Sequence, residues 1–245
     1  MPMIMKKFLP LALSFSLLAG ASQSIAEDKS VEKQDTVSVQ EETLSPFVEL
    51  YTSQSCPRCP KANERFKEFA LEQDIIAVTF PVDIWDYMGW KDTFAQEEFT
   101  ARQKAINTHM GRRGPYTPQA VFNGEKHCSA VKKKPMERRL KDTRNARDEI
   151  KVQYDGAELS IAGNDKPLEV WIVDYTPGDT FETPKSGNNS NKTMLYHNRA
   201  IDLASAGTVE KSGGILQANC QDHCAIVFQE PAHGKVIGAI KYPNS

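Results

Sequence analysis

Apolar residues follow two rhythms along this chain, and the change from one to the other divides it. Phe47-Val48-Glu49-Leu50-Tyr51, opened by Pro46, is a short run of strand-forming residues. After Cys59 the spacing turns helical: Ala62, Phe66, Phe69 and Ala70 recur at three- and four-residue steps with charges between them. Residues 75–80 are continuously apolar up to Thr79 and Phe80, as expected of a buried parallel strand. An aromatic loop over 83–90 precedes a second predicted helix over roughly 96–110. Runs at 119–122 and 125–131 flank Asn123-Gly124, a pair that favours the positive φ angles of a tight hairpin. A basic helix over about 136–150 closes this half.

From Val152 onward helical periodicity stops. Short alternating runs at 152–154, 159–161, 168–175, 193–203, 214–218, 225–229 and 236–242 are separated by Gly, Asn and Pro, as in Ser186-Gly187-Asn188-Asn189. The pattern predicts an α/β domain over 46–150 with one antiparallel edge pair. An all-β, sandwich-like C-terminal domain over 151–245 is expected to follow.

Composition narrows the function. Of 245 residues, 40% are hydrophobic and 25% charged, an ordinary globular balance. The net charge of −2 lacks the positive excess a nucleic-acid binder needs, so nucleic acid is excluded as a partner. Lys6-Lys7, the apolar stretch 8–19 and the small residues of Ser24-Ile25-Ala26 read as a signal peptide over 1–26, cleaved before Glu27. Ala21 stands where lipidation would require Cys. The expected location is therefore periplasmic or secreted, with no stable membrane insertion after cleavage. Residues 27–45, polar and without a stripe, read as a flexible linker.

Export makes disulfides possible, and there are five cysteines, an odd number. Cys56-Pro57-Arg58-Cys59 stands where a predicted strand gives way to a helix. Unpaired N–H groups and the positive end of the helix dipole favour a thiolate there. Cys56 is expected to be the exposed nucleophile and Cys59, one turn in, the resolving thiol. An inert bridge and a copper or zinc site share this motif and remain alternatives. Cys220 and Cys224 bracket a three-residue loop and are expected to form a local structural disulfide. A two-residue Asn123-Gly124 turn would set Cys128 opposite Gln119, either as a third thiol near the pair or as a simple packing residue. Trp85, Tyr87 and Trp90, interleaved with Asp83, Asp86 and Asp92, form either a substrate-facing rim or a loop pinned by its own aromatics. Glu49, in a buried strand, needs a partner and is a candidate proton relay to Cys59. The basic helix reads first as a solvated face.

Residues 49–59 resemble the first strand and active-site turn of thioredoxins and glutaredoxins. Tyr116-Thr117-Pro118 is similar to the cis-proline loop of that fold. More narrowly, 48–56, 82–92 and 116–119 resemble an exported bacterial family catalogued as a domain of unknown function, the DUF1223 family, within the thioredoxin-like superfamily. The resemblance implies a thioredoxin-like fold for 46–150, with Thr117 and Pro118 positioning a substrate chain against the catalytic pair Cys56 and Cys59. Trp85, Tyr87, Trp90 and Tyr116 are then the substrate-binding residues. The implied partners are protein thiols or disulfides, with a membrane redox partner as a further candidate. No organic cofactor is required, since the dithiol is the redox group, and no metal ligands are assigned.

Overall fold

The structure is a computed structural model that describes residues 41–144 and 150–243. The expected signal peptide, most of the expected linker and the end of the basic helix lie outside the described residues.

The elements in chain order are β1 (Glu41–Glu42), β2 (Phe47–Thr52), α1 (Cys59–Leu71), β3 (Ile76–Pro81), a 3-10 turn (Asp86–Met88), α2 (Glu97–His109), β4 (Gln119–Phe122), β5 (Lys126–Ser129) and α3 (Lys133–Arg144). They continue with β6 (Val152–Tyr154), β7 (Glu158–Ala162), β8 (Leu168–Glu182), β9 (Met194–Val209), β10 (Gly213–Gln217), β11 (Cys224–Gln229) and β12 (Val236–Tyr242). Eight strands make one sheet, ordered β12-β11-β8-β9-β3-β2-β4-β5. β1, β6, β7 and β10 make a second sheet of four.

This corrects the expected fold class. The described chain is mostly β, with twelve strands against three α-helices in two sheets. It is not a thioredoxin-like α/β domain followed by a sandwich. The late strands do not close on themselves: β9 lies parallel to β3, with Arg199 opposite Thr79, so β8, β9, β11 and β12 extend the first-half sheet. Periodicity could not reveal this, because it reports which face of a strand is buried and not which strand lies beside it. It also stopped β8 too early. Residues 176–182 are mostly polar and contain Pro177, which sits in a register shift between Thr176 and Asp179.

β2 is buried along its whole length, and its alternate residues serve two cores. Val48 and Leu50 pack with Ala62, Phe66 and Phe69 of α1 and Met136 and Leu140 of α3. Phe47 and Tyr51 pack on the opposite face with Phe99 and Ile106 of α2 and with Val173 and Val227 of the late strands. A third cluster, including Val152, Leu159, Val170 and Ile226, fills the space served by the four-stranded sheet.

The hairpin turn is one residue longer than expected. Asn123 and Gly124 do take positive φ, but Phe122 pairs with Lys126, and Cys128 faces Ala120 instead of Gln119. Cys128 therefore packs on the α1–α3 core. It is a free thiol whose pKa burial pushes up to about 11, the opposite of an activated one.

Glu49 shares the Phe47–Tyr51 face, away from α1, so strand alternation removes it as a relay to Cys59. Its partner is Arg102 of α2, whose Nε donates to Oε1 at 2.7 Å with both side chains fully buried. Tyr51 donates to the same oxygen at 2.8 Å, and Arg102 Nη1 donates to Gln229 of β11 at 3.1 Å. Removing one member of a buried pair strands the other charge, which costs roughly 3–5 kcal/mol, whereas removing both can be nearly neutral. Arg102→Met should therefore lower unfolding free energy by about that amount. Glu49→Leu/Arg102→Met should recover part of it, short of the cost of leaving the Tyr51 hydroxyl and the Gln229 oxygen unpaired, as read from urea denaturation with disulfides intact. An Arg102→Met loss below about 1 kcal/mol would show that the pair does not hold the two halves together.

Candidate functional site

Cys56 and Cys59 are disulfide-bonded, with Cα atoms 5.4 Å apart. Cys59 is the first residue of α1, and the proline in the opening turn of the helix is Pro60, not Pro57. Cys56 N–H donates to Ser53 O and Cys59 N–H to Cys56 O, both at 3.1 Å, so the turn is closed by its own backbone.

The expected exposed nucleophile is not exposed. Cys56 is 2% accessible and Cys59 not at all, and only Pro57 and Arg58 between them reach solvent. Met194 and Tyr196, at the start of β9, pack on the two sulfurs, with Trp85 and Phe94 completing the wall. β9 is held there by bonds to β3 and α1: Thr79 donates to His197 O at 2.7 Å, and Asn63 of α1 donates to Leu195 O at 2.8 Å.

The tip of the β8–β9 hairpin covers the turn. Asn189, fully buried, donates from Nδ2 to the carbonyls of Gln54 (2.9 Å) and Cys56 (2.7 Å). Asn188 donates to Ser55 O at 3.0 Å. Ser186 donates to Gly89 O at 2.8 Å. Gly187 fits where little else does: its φ is +74°, and a Cβ there would meet Trp90 Cβ at 3.0 Å.

The 83–94 loop holds the other side. Trp85 Nε1 donates to Thr117 Oγ1 at 2.7 Å, tying the cysteine wall to the residue before Pro118. Trp90 Nε1 donates to Gln54 Oε1 at 2.6 Å. Asp92 accepts the Gln54 backbone N–H at 2.7 Å and the Phe94 N–H at 3.0 Å. Burial raises the Asp92 carboxyl to about 6 despite those two N–H groups. Tyr196 is pushed well above its ordinary value, by burial first and then by the charge of Asp92. Tyr87, 78% exposed, and Met88, 41% exposed, leave an apolar edge beside the capped turn.

The structure thus gathers Cys56, Cys59, Trp85, Trp90 and Thr117, with buried Pro118, whose peptide bond is cis, next in the chain. Tyr87 stacks obliquely near Trp85, ring centroids 6.0 Å apart. Tyr116 faces elsewhere: its hydroxyl meets His127 Nδ1 at 2.9 Å, and Arg112 lies over its ring. Cys220 and Cys224 are bonded to each other. No His, Asp, Glu or further Cys joins Cys56 and Cys59 in a three-donor group among the described residues. Sequence reasoning missed Asn189, Tyr196 and the bonding role of Asp92. Asn188-Asn189 read only as a turn separator, and nothing local tells a capping asparagine from a turn-forming one.

Fold and site together define a mostly β protein with a buried Cys-x-x-Cys disulfide roofed by its own hairpin. The chain belongs to the family described as "Protein of unknown function (DUF1223)", whose profile matches residues 47–232. Its fold is similar to that of a protein from Agrobacterium tumefaciens solved by X-ray crystallography, at 25% identity and TM-score 0.67, covering 82% of this chain and 95% of that one. HBP35 of Porphyromonas gingivalis is similar in fold alone, at 9% identity and TM-score 0.53, covering 82% of this chain and 76% of that one. No curated protein matches the chain.

Because the folded-state pKa of Asp92 lies above the unfolded value of 3.8, its contribution to stability is complete below 3.8 and lost as pH rises through about 6. The difference amounts to roughly 3 kcal/mol. Wild type should therefore lose about that much unfolding free energy relative to Asp92→Asn between pH 3.5 and 7. Parallel pH profiles for the two proteins would assign the carboxyl an ordinary pKa.

Proposed function

We propose that this protein performs thiol–disulfide exchange on protein thiols or disulfides through Cys56 and Cys59. The observation that carries the proposal is a closed Cys56–Cys59 bridge at the mouth of α1, flanked by an exposed apolar edge at Tyr87 and Met88. In exchange, a substrate thiolate attacks Cys56 Sγ, the Cys56–Cys59 bond breaks, and Cys59 leaves as a thiolate. A second substrate thiolate then displaces Cys56 and forms the substrate disulfide. The reverse sequence reduces a substrate disulfide, with Cys56 attacking and Cys59 resolving. Thr117 and Pro118 hold the substrate chain, a role supported by the Trp85–Thr117 bond beside the pair. Substrates outside the cytoplasm are implied by residues 1–26 read as a signal peptide.

A sulfur that is 2% accessible cannot be attacked in place, so the hairpin tip must lift. The same burial favours a second reading, in which the bridge is inert and only pins the turn. The reduction potential separates them. An exchanger equilibrates with glutathione buffers, whereas an inert bridge lies below about −300 mV and resists them.

Access is expected to be set by the tip. Asn189→Ala deletes two hydrogen bonds, worth about 1 kcal/mol each, and should speed dithiothreitol reduction of the Cys56–Cys59 bridge at least about tenfold. Thiol-trapping mass spectrometry follows the rate. An unchanged rate would mean that the tip is not what protects the bridge.

A further inference from the structure

A second cluster of sulfur and carboxylate lies on the three-strand run β9-β8-β11, away from the Cys56 wall. Asp202 of β9 pairs with Asp174 of β8, and Asp174 pairs with Cys224 of β11. Directly opposed residues share a face of the sheet, so two carboxylates and a sulfur stand in one row. Like charges directly opposite one another are destabilising. Asp174 is 4% exposed and accepts one N–H, from Gln221 at 3.1 Å. Among the described residues no Lys, Arg or His forms an ion pair with it. A buried carboxyl so placed is held by a raised pKa or by a positive partner; burial first, then Asp202 and Asp222, raise it here, so a cation would bind where three acidic groups now oppose one another. Cys220, half-buried, is bonded to Cys224, and both sulfurs and an Asp174 oxygen lie within 4.8 Å of one another.

We propose that Asp174, Cys220 and Cys224 form a redox-gated site for a borderline divalent cation of the zinc type. In the oxidised state the sulfurs are joined and supply no thiolate, so the site is closed. An external dithiol opens it: the dithiol becomes a disulfide, and its two electrons and two protons convert the Cys220–Cys224 bond into two thiols. The cation then displaces those two protons and takes two thiolates and one carboxylate. Two sulfurs and one oxygen select a zinc-like ion over magnesium or calcium. Tetrahedral coordination needs sulfurs roughly 3.8 Å apart, given metal–sulfur bonds of about 2.3 Å. The Cα separation of 5.6 Å allows that spacing. The half-exposed Cys220 leaves the fourth position to water, and Asp202 adds negative charge behind the ligands. The inference is independent of any activity at Cys56 and Cys59.

The test uses Co²⁺ as the probe, added anaerobically to the full chain after phosphine reduction and desalting. Reduced protein should bind one equivalent with near-ultraviolet thiolate charge-transfer and visible four-coordinate bands, and oxidised protein should show neither. Cys56→Ser/Cys59→Ser should keep the bands, Cys220→Ser/Cys224→Ser should lose the charge transfer, and Asp174→Asn should weaken binding at least about tenfold. The wild-type comparison needs no variant to fold. Absence of charge transfer in reduced wild type overturns the proposal, as does charge transfer that survives Cys220→Ser and Cys224→Ser but vanishes in Cys56→Ser/Cys59→Ser.

Discussion

Three consecutive carbonyls just past β2, those of Gln54, Ser55 and Cys56, accept from Asn188 and Asn189, more than 130 residues further along, and that of Cys56 takes the Cys59 N–H as well. Buried backbone oxygens need such partners, because leaving one unpaired costs about as much as a lost hydrogen bond or more. The Cys56 turn can satisfy only part of its own backbone. Its conformation therefore depends on a hairpin long enough to reach it. β8 and β9, at 15 and 16 residues, are far longer than a typical strand, and their outer halves exist to carry that tip.

The turn is gripped from two sides with opposite polarity. Asp92 and the Gln54 side chain belong to the loop side, where a carboxylate takes the Gln54 N–H. Asn189 works on the hairpin side, where an amide nitrogen supplies the carbonyls. Neither grip is a charge pair, so neither is weakened much by salt. The contrast with the Glu49–Arg102 pair is instructive. There a full charge pair is buried on the opposite face of the same strand, with Glu49 Oε2 and Arg102 Nη2 left without partners. That pair joins β2 to α2 and β11; the amide grip joins β2 to the β8–β9 tip.

Much of the secondary structure was legible in the sequence, because Ala62, Phe66 and Phe69 keep a helical step and residues 225–229 keep a strand run. The architecture was not. Whether β9 pairs with β3 depends on Thr79 and Asn198 bonding across the gap, and such bonds leave no periodic trace. The register of β5 turned on one residue, Glu125, which completes a three-residue loop where a two-residue turn is expected, though Asn123 and Gly124 do take positive φ. At the site, the closeness of Cys56 and Cys59 could be anticipated, since a Cys-x-x-Cys motif before a helix constrains its own geometry. The cover could not. An Asn-Asn pair among Pro, Ser, Gly and Lys has the composition of any turn, and its function lies wholly in what the turn touches.

Joining the Cys56–Cys59 disulfide to a distant hairpin has a thermodynamic consequence. If the tip binds the oxidised turn and the reduced turn with different free energies, that difference appears twice. It sets how far reduction loosens the tip, and by the same amount it sets how far the tip shifts the reduction potential of Cys56–Cys59. For a two-electron couple, 30 mV corresponds to about 1.4 kcal/mol, on the scale of one or two hydrogen bonds. At about 1 kcal/mol each, the two amide bonds of Asn189 bound that shift at about 40 mV, a step that matters only near the boundary between an exchanger's range and that of a permanent bridge. To the extent that the tip's affinity differs between the two states, the potential belongs to the cysteines and their cover together.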